Sequence, residues 1–531
     1  MKSPPTLRIL FFTHSLLFGL VQFSLAQPPL KTLMEVEYIN SNFGLGTGMI
    51  GLGDINNDGK ADFAVSAASV GKTFIYFGGK GVLDSTVDVK IRGGGGMALG
   101  DLNGDGRMDL VVAGPNQEET LYVYFGKTPT PLAIDTVPDV IIPRESSGGG
   151  ETGFGKSFAI GDLNHDGFDD LVVGAYYFGP DQGRVYLYYG RINFKNTPDA
   201  IAEGDAVRYL YGRYIKIADI NGDGIKDLAI GSDRRKYVDS IWVNDGLLDI
   251  YYGKSGWQFT KNGYNQRFDI ANTGYQSIYS FGLVDVNADG KADISITQGE
   301  SAYFFYGRSD SVRHTPDFIL ANPDTSFYTG FGSAAYPIGD INKDGKEDYA
   351  MRLGPGGPGA CIAVYLGNTN PQRKPVADRC RGGNDPFNII VPLGDINGDG
   401  VNDFGSVAFD LFSNDGSFII FSGDSNYVMP VSNKHVEPPQ DLDLKQNFPN
   451  PFNPSTTIEY KLSTKGHVVI MIYDAVGREV KTLLSQNQEG GSYKTVWDGT
   501  DSRGERVSSG LYFYQLQINN NTVTKKAVHI K

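Results

Sequence analysis

Three carboxylates and one amide within nine residues, with glycine at the sixth, form a loop of hard oxygen donors, and this chain writes that loop seven times without substitution. The pattern is Asp-x-Asn-x-Asp-Gly-x-x-Asp. Its side chains are Asp54, Asn56, Asp58 and Asp62; Asp101, Asn103, Asp105 and Asp109; Asp162, Asn164, Asp166 and Asp170; and Asp219, Asn221, Asp223 and Asp227. Three further copies supply Asp285, Asn287, Asp289 and Asp293; Asp340, Asn342, Asp344 and Asp348; and Asp395, Asn397, Asp399 and Asp403. Oxygen ligands at alternate positions, with glycine where the chain turns sharply, are what Ca²⁺ requires. The first, third, fifth and ninth residues are the candidate side-chain ligands. The seventh, Lys60 in the first copy, offers its carbonyl, and water completes the shell. An ordinary hairpin turn needs no acid at position nine and no third carboxylate. Three like charges in one loop are unfavourable unless a cation neutralises them. Up to seven structural Ca²⁺ ions are therefore expected.

The spacing resembles the first nine positions of an EF-hand, but position twelve separates the two. An EF-hand has a bidentate Glu there, whereas this chain has Val65, Val112, Val173, Ile230, Ile296, Met351 and Ser406. Those residues lie in short apolar runs such as Phe63-Ala-Val and Leu171-Val-Val, so the expected arrangement is strand, calcium loop, strand. Successive loops start 47, 61, 57, 66, 55 and 55 residues apart. Each period opens on an aromatic-Gly pair or its remnant: Phe43-Gly44, Gly95-Gly96, Phe154-Gly155, Tyr211-Gly212, Phe281-Gly282, Phe331-Gly332 and Phe387-Asn388. Each closes on an aromatic strand ending in Gly, at Gly78, Gly126, Gly190, Gly253, Gly307, Gly367 and Gly423. One period holds about four short strands, whose exposed face is buried only by stacking on a neighbour. A seven-bladed β-propeller follows. Ring closure predicts that Met34 to Tyr38 pair into the last blade beside Phe418 to Phe421.

Composition agrees. Gly at 69 and Tyr plus Phe at 61 suit short strands with tight turns, and the net charge of −14 argues against nucleic acid as a partner. Seven divalent ions would carry +14, nearly cancelling it. Residues 1–26 read as a signal peptide: Lys2 and Arg8, an apolar run from Ile9 to Leu25, and Ser24-Leu25-Ala26 before a cut at Gln27. No later segment is apolar enough to span a bilayer. The two cysteines, Cys361 and Cys380, either form one disulfide in an oxidising compartment or remain as two buried thiols.

With these motifs, the region from about 31 to 430 resembles the FG-GAP repeat propellers of integrin α-subunits and many bacterial secreted proteins, most clearly at Phe154-Gly155 followed by Gly174-Ala175. The resemblance implies that the Asp, Asn, Asp and closing Asp of each loop are calcium ligands. Unlike the integrin pattern, every blade here carries a loop, and no metal-dependent adhesion domain is inserted.

After Pro430 the composition shifts. Residues 431–440 read as a polar linker, and residues 441–531 as a small Ig-like β-sandwich with strands at Thr456 to Leu462, Val468 to Tyr473, Ser492 to Trp497, Leu511 to Ile518 and Thr522 to Ile530. Asn447-Phe-Pro-Asn-Pro-Phe-Asn-Pro454 supplies rigid X-Pro turns before the first of these. That octet, Tyr473-Asp-Ala-Val-Gly-Arg-Glu-Val480, Ser509-Gly-Leu-Tyr-Phe-Tyr514 and the lysine-bearing terminal strand resemble the C-terminal sorting domain of the type IX secretion system. Trp497-Asp-Gly-Thr-Asp-Ser-Arg-Gly504 resembles the Ig-like module of flagellar hook-capping proteins. The first resemblance implies outer-membrane secretion machinery as a partner and a secreted or outer-surface location in a Gram-negative bacterium. The alternative is an accessory domain that only stabilises or presents the propeller.

Catalytic chemistry is sparse. Among six His only His314 lies in the propeller outside a loop, so a His-centred triad or a His-rich zinc site has no basis. Gly46-x-Gly48-x-x-Gly51 matches a dinucleotide fingerprint but leads into a calcium loop rather than a helix. The longest irregular insertion is expected in the fourth repeat, from Asp233-Arg-Arg-Lys236 to Trp242-Val-Asn-Asp245, either as a contact for an anionic glycan or protein or as a solvated hairpin. The sequence therefore reads as a non-enzymatic adhesion or recognition module for an extracellular protein or glycan. The alternative is a polysaccharide-active enzyme, a lyase or glycosidase, on a propeller scaffold.

Overall fold

The computed structural model describes residues 7–8, 30–38, 45–79, 83, 86–115, 118–127, 136–145, 150–204, 210–238, 241–269, 281–298, 301–321, 334–353, 361–369, 371, 375–380, 389–409, 416–427, 442–462, 465–474, 478–518 and 521–530. The chain divides into two units, Met1–Met429 and Pro430–Lys531. Phe43-Gly44, Phe331-Gly332, Phe387-Asn388, residues 431–440 and all of the expected signal peptide except Leu7 and Arg8 lie outside the described residues.

The first unit is a seven-bladed β-propeller. Six antiparallel four-stranded sheets follow one another along the chain, and a seventh is completed from the far end of the unit. Each period begins with a strand that lies beside its counterpart in the next blade. These strands are Leu45–Gly53, Met97–Gly100, Ser157–Gly161, Tyr214–Ala218, Phe281–Val284, Tyr336–Gly339 and Ile389–Gly394, and the last neighbours the first, closing a ring. The seventh blade's outer strand is Thr32–Tyr38, antiparallel to Gly416–Phe421, with Met34 opposite Ile420 and Val36 opposite Phe418, as the closure argument requires. Leu7–Arg8 pairs beyond it with Tyr38 and Glu37.

Alternation within each strand sends apolar side chains to both faces of a blade, so the core lies in the seams between blades rather than in one centre. Seven buried clusters correspond to seven seams. The closing seam gathers Phe63, Val65 and Tyr76 of the first blade with Met34, Val36, Leu393, Val407, Phe418 and Ile420 of the seventh. Each such side chain contributes about 1.5–3 kcal/mol by leaving water, so a blade is stable only between two neighbours. Among the described residues, helix is limited to one 3₁₀ turn, Ala68–Val70, and one short turn, Phe178–Asp181.

Two alternatives left open by the sequence are decided in this unit. In the fourth repeat the hairpin is found: Asp227–Val238 and Ile241–Tyr251 pair regularly, with register held from Asp233 opposite Gly246 to Val238 opposite Ile241. Its strands, which carry Ile, Leu, Val, Trp and Tyr, extend the blade's own ladder instead of looping out of it. Of the two alternatives for the cysteines, the bridge is found. Cys361 is disulfide-bonded, and the sheet register sets it opposite Cys380, the chain's other cysteine.

The C-terminal unit is a sandwich of a three-stranded and a four-stranded antiparallel sheet. The first joins Leu442–Leu444, Thr456–Leu462 and Gly491–Trp497; the second joins Glu479–Gln488, Gly466–Asp474, Gly510–Ile518 and Asn521–His529. Two strands were not expected, Leu442–Leu444 and Glu479–Gln488. The second has no fully buried position and therefore weak alternation. The Pro-rich octet consequently follows the first strand instead of preceding it. It also lies along the terminal strand: Phe452 N–H donates to Val528 O at 2.9 Å, and Ile530 N–H donates to Phe452 O at 3.0 Å. Between the sheets, Trp497, Tyr514, Ile458, Ile470, Ile472 and Leu516 are buried together.

Candidate metal centres

Every loop joins the first strand of a blade to its second, and its sixth residue takes the left-handed conformation that glycine permits, with φ from +80° at Gly106 to +87° at Gly167. Within the loop, acidic oxygens accept backbone N–H groups. The first carboxylate accepts from the sixth residue at 2.6–3.0 Å in all seven copies. The fifth accepts from the seventh at 2.9–3.0 Å. Asn56, Asn103, Asn221, Asn287, Asn342 and Asn397 accept from the fifth residue through Oδ1 at 2.8–3.1 Å. The bonds accepted by positions three and five are Asx turns, and with the longer bond to the first carboxylate they hold these three side chains on a common turn.

The ninth carboxylate differs from the others. Asp62, Asp109, Asp170, Asp227, Asp293, Asp348 and Asp403 are all 0 % exposed. One oxygen accepts the N–H of the loop's own second residue at 2.8–3.2 Å. The other accepts the N–H of the glycine that ends the blade's aromatic strand, at 2.8–3.0 Å. That glycine, 14 to 26 residues downstream, is a functional position whose role the sequence did not reveal. A Cβ on it would meet the eighth residue's carbonyl at 2.0 Å in Gly367 and 2.6 Å in Gly126, so no other residue fits. A fixed glycine following each buried acid was the available signal.

Burial makes the ninth carboxylates weak acids, and the neighbouring loop acids add to the effect. Asp62 is pushed up to about 6, Asp293 to about 8, and Asp109, Asp170, Asp227, Asp348 and Asp403 to about 7. In three loops a cation already leans on the fifth carboxylate: Lys60 on Asp58 at 3.2 Å, Arg107 on Asp105 at 3.2 Å and Lys291 on Asp289 at 3.6 Å.

The loops also bind blade to blade. The residue after the aromatic-strand glycine donates to the second-residue carbonyl of the preceding blade's loop, as in Gly79 to Ile396, Arg191 to Leu102, Lys254 to Leu163, Asn368 to Val286 and Asp424 to Ile341, at 2.8–3.2 Å. Asp169 Oδ2 accepts the N–H of Asp101, and Glu347 Oε2 that of Asp285, at 2.7 and 3.2 Å. Loop order is thus coupled to seam order.

Among the described residues, no three His, Cys, Asp or Glu side chains are drawn together as a ready-made metal cage. The donor chemistry nonetheless fits a hard cation. In the third loop, Asn164 Oδ1 is buried without a hydrogen-bond donor, beside Asp162 and Asp166. An acceptor left unmet among carboxylates is satisfied by a cation, and a carboxylate oxygen bonded to one N–H retains a second lone pair. His314 packs against the Phe268 ring, with centroids 4.7 Å apart and the planes tilted by 39°.

Known proteins support the repeat type. Residues 154–188 match the FG-GAP repeat, 54–112 an FG-GAP-like repeat, and 453–522 the FlgD Ig-like domain. The propeller is therefore of the FG-GAP type and the C-terminal unit is Ig-like. The chain is 28% identical over 222 residues to the phosphatidylinositol-glycan-specific phospholipase D of Bos taurus, covering 37% of this chain and 26% of that one. It is 35% identical over 204 residues to integrin alpha-7 of Rattus norvegicus, covering 35% and 16%. The chain thus spans about a quarter or less of the length of these two relatives. Among solved structures it is similar to PorZ, a bacterial surface component of the type-IX secretion system of Porphyromonas gingivalis. That likeness has a TM-score of 0.34 at 11% identity over 94% of this chain and 58% of that one. No described helix is long and apolar enough to cross a membrane.

Proposed function

We propose that this protein is a calcium-braced, non-enzymatic adhesion or recognition module, acting in secreted form or on the outer surface of a Gram-negative cell and delivered there by its C-terminal unit. The observation that carries the calcium assignment is the buried, donor-less Asn164 Oδ1 within one of seven identical carboxylate loops. Asp162, Asn164, Asp166 and Asp170, with their counterparts in the other six loops, would hold the ion. When bound, Ca²⁺ supplies charge neutralisation to acids that burial and mutual repulsion disfavour. Affinity at the weak end usual for extracellular modules, roughly 10⁻⁴ to 10⁻³ M, suits a site that is filled outside the cell and empty within it.

The similarity to integrin alpha-7 and the sparse catalytic inventory support recognition over turnover, with an extracellular protein or glycan as partner. The similarity to the FlgD Ig-like domain, together with the terminal-strand motifs, supports a sorting role through the type IX machinery. Calcium titration by calorimetry on the intact protein tests the metal, with up to seven ions expected. A chain metal-free after equilibration in millimolar calcium would overturn it. Glycan and protein arrays test recognition: saturable binding without product formation is expected, whereas turnover of a polysaccharide would overturn the non-enzymatic assignment. Deleting residues 441–531 is expected to retain the propeller behind the outer membrane, and unimpaired export would refute the sorting role.

A further inference from the structure

The seven seams are not alike. In three of them the eighth residue of one loop donates its N–H to the first-residue carbonyl of the preceding loop: Ala61 to Asp395 at 2.9 Å, Asp169 to Asp101 at 2.9 Å, and Ala292 to Asp219 at 2.8 Å. Among the described residues the other four seams lack this bond. The same three seams share a second feature. The preceding loop has glycine at position four, Gly398, Gly104 or Gly222, and the seventh side chain of the following loop lies across it. A Cβ on Gly104 would fall 2.2 Å from the Phe168 ring, one on Gly222 2.8 Å from the Lys291 stem, and one on Gly398 3.4 Å from Lys60. In the remaining loops position four is Asn57, His165, Ala288 or Lys343, each bearing a side chain despite positive φ.

From this coincidence we infer that, given the calcium assignment above, the loops act as three backbone-coupled pairs, seventh with first, second with third, and fourth with fifth, while the sixth loop is tied to its neighbours only through the Glu347 side chain and the strand-end bonds common to most seams. The physical reason is local. The residue whose carboxylate would hold one ion has its carbonyl bonded into the next loop, so filling either loop orders a backbone segment that both share. The second to bind then loses less conformational freedom. The pair of the seventh and first loops spans the seam where the ring closes, so its filling fastens the two ends of the propeller together.

Hydrogen exchange on the intact chain, resolved by peptide and read against buffered free calcium, tests this. Amides of the fourth and fifth loops are expected to lose protection at one calcium concentration, and those of the third and fourth at different ones. At saturating calcium, Asp223→Ala in the fourth loop should raise exchange in the fifth loop tenfold or more, whereas Asp166→Ala in the third should leave the fourth at its wild-type rate. A fifth loop unmoved by Asp223→Ala, or a fourth loop equally moved by Asp166→Ala, would overturn the pairing. Should Asp223→Ala fail to fold, Gly222→Asn keeps the ligands and the positive φ but forces Lys291 aside. It is expected to split the two midpoints, and unsplit midpoints would count against coupling. A parent chain whose exchange ignores calcium altogether would defeat the calcium assignment itself, a different outcome from calcium-dependent but independent loops.

Discussion

In the propeller the conspicuous acids are buried and crowded, and Asp109, Asp170, Asp227, Asp293, Asp348 and Asp403 are all driven up to about 7 or 8 by burial and by other acids. In the C-terminal unit the conspicuous acids are near solvent and held below the usual carboxylate range. Asp498 is held down by the Thr500 hydroxyl and by Lys481, Asp501 by the Glu505 N–H and by Arg503, and Glu459 by Lys494. One unit stores unfavourable charge in every repeat, and the other cancels its charge with its own lysines and arginines around an apolar core. On the proposed calcium assignment the propeller draws its counter-charge from an external ion, and the sandwich supplies its own.

Calcium removal should separate the two units most clearly. At calcium tenfold above its Kd each loop gains about 1.4 kcal/mol, on the order of 10 kcal/mol for seven. EDTA should therefore lower the propeller's calorimetric transition by roughly 10 °C or more and leave that of the C-terminal unit in place. Equal movement of both transitions, or of neither, would break the comparison.

Glycine substitutions come next in size. Gly253→Ala sets a Cβ 2.1 Å from Lys226 O and displaces an N–H from buried Asp227, whereas Gly510, in the C-terminal unit, faces open space. The first should cost roughly 2–4 kcal/mol and the second stay within about 0.5 kcal/mol in chemical denaturation. A harmless Gly253→Ala would remove the brace assigned to the aromatic-strand glycines.

The pH response should have opposite sign in the two units. A ninth carboxylate has a folded pKa above its unfolded value of about 3.9, so its contribution is fully present below that value and is lost as pH rises through 6 to 8. Metal-free propeller should accordingly melt higher at pH 5 than at pH 8, and saturating calcium should reverse the order. In the C-terminal unit the lowered acids contribute above their unfolded pKa, and that stability is lost as pH falls below about 4. Melting curves in EDTA that rise with pH in both units would contradict this.

Much of this was legible beforehand because it repeats. Seven copies of one loop, with an aromatic-Gly signal at each end of the period, specified blade number, strand order and the closing strand at Met34 to Tyr38. Two things were not legible. The function of Gly78 and its counterparts depends on a contact with a carboxylate 16 residues away along the chain rather than on local pattern. Glu479–Gln488 was missed because a strand with little buried surface carries almost no alternation.

The smallest effect isolates one of the three loops in which the propeller borrows the sandwich's method. Arg107 leans on Asp105 as Lys481 leans on Asp498, whereas the fourth loop has Ile225 at the same position and no such cation. A guanidinium beside a ligand competes with Ca²⁺ for the same oxygen, and an exposed pair of this kind is worth a few tenths of a kcal/mol to about 1 kcal/mol. Arg107→Gln should therefore tighten calcium at the second loop by roughly two- to fivefold, read as a fall in that loop's hydrogen-exchange midpoint, with the fourth loop unchanged. It should also make the second blade more sensitive to EDTA, because an acid deprived of its internal counter-ion depends more heavily on the external one. A midpoint that stays fixed would mean that Asp105 is not a ligand, whatever the other loops bind.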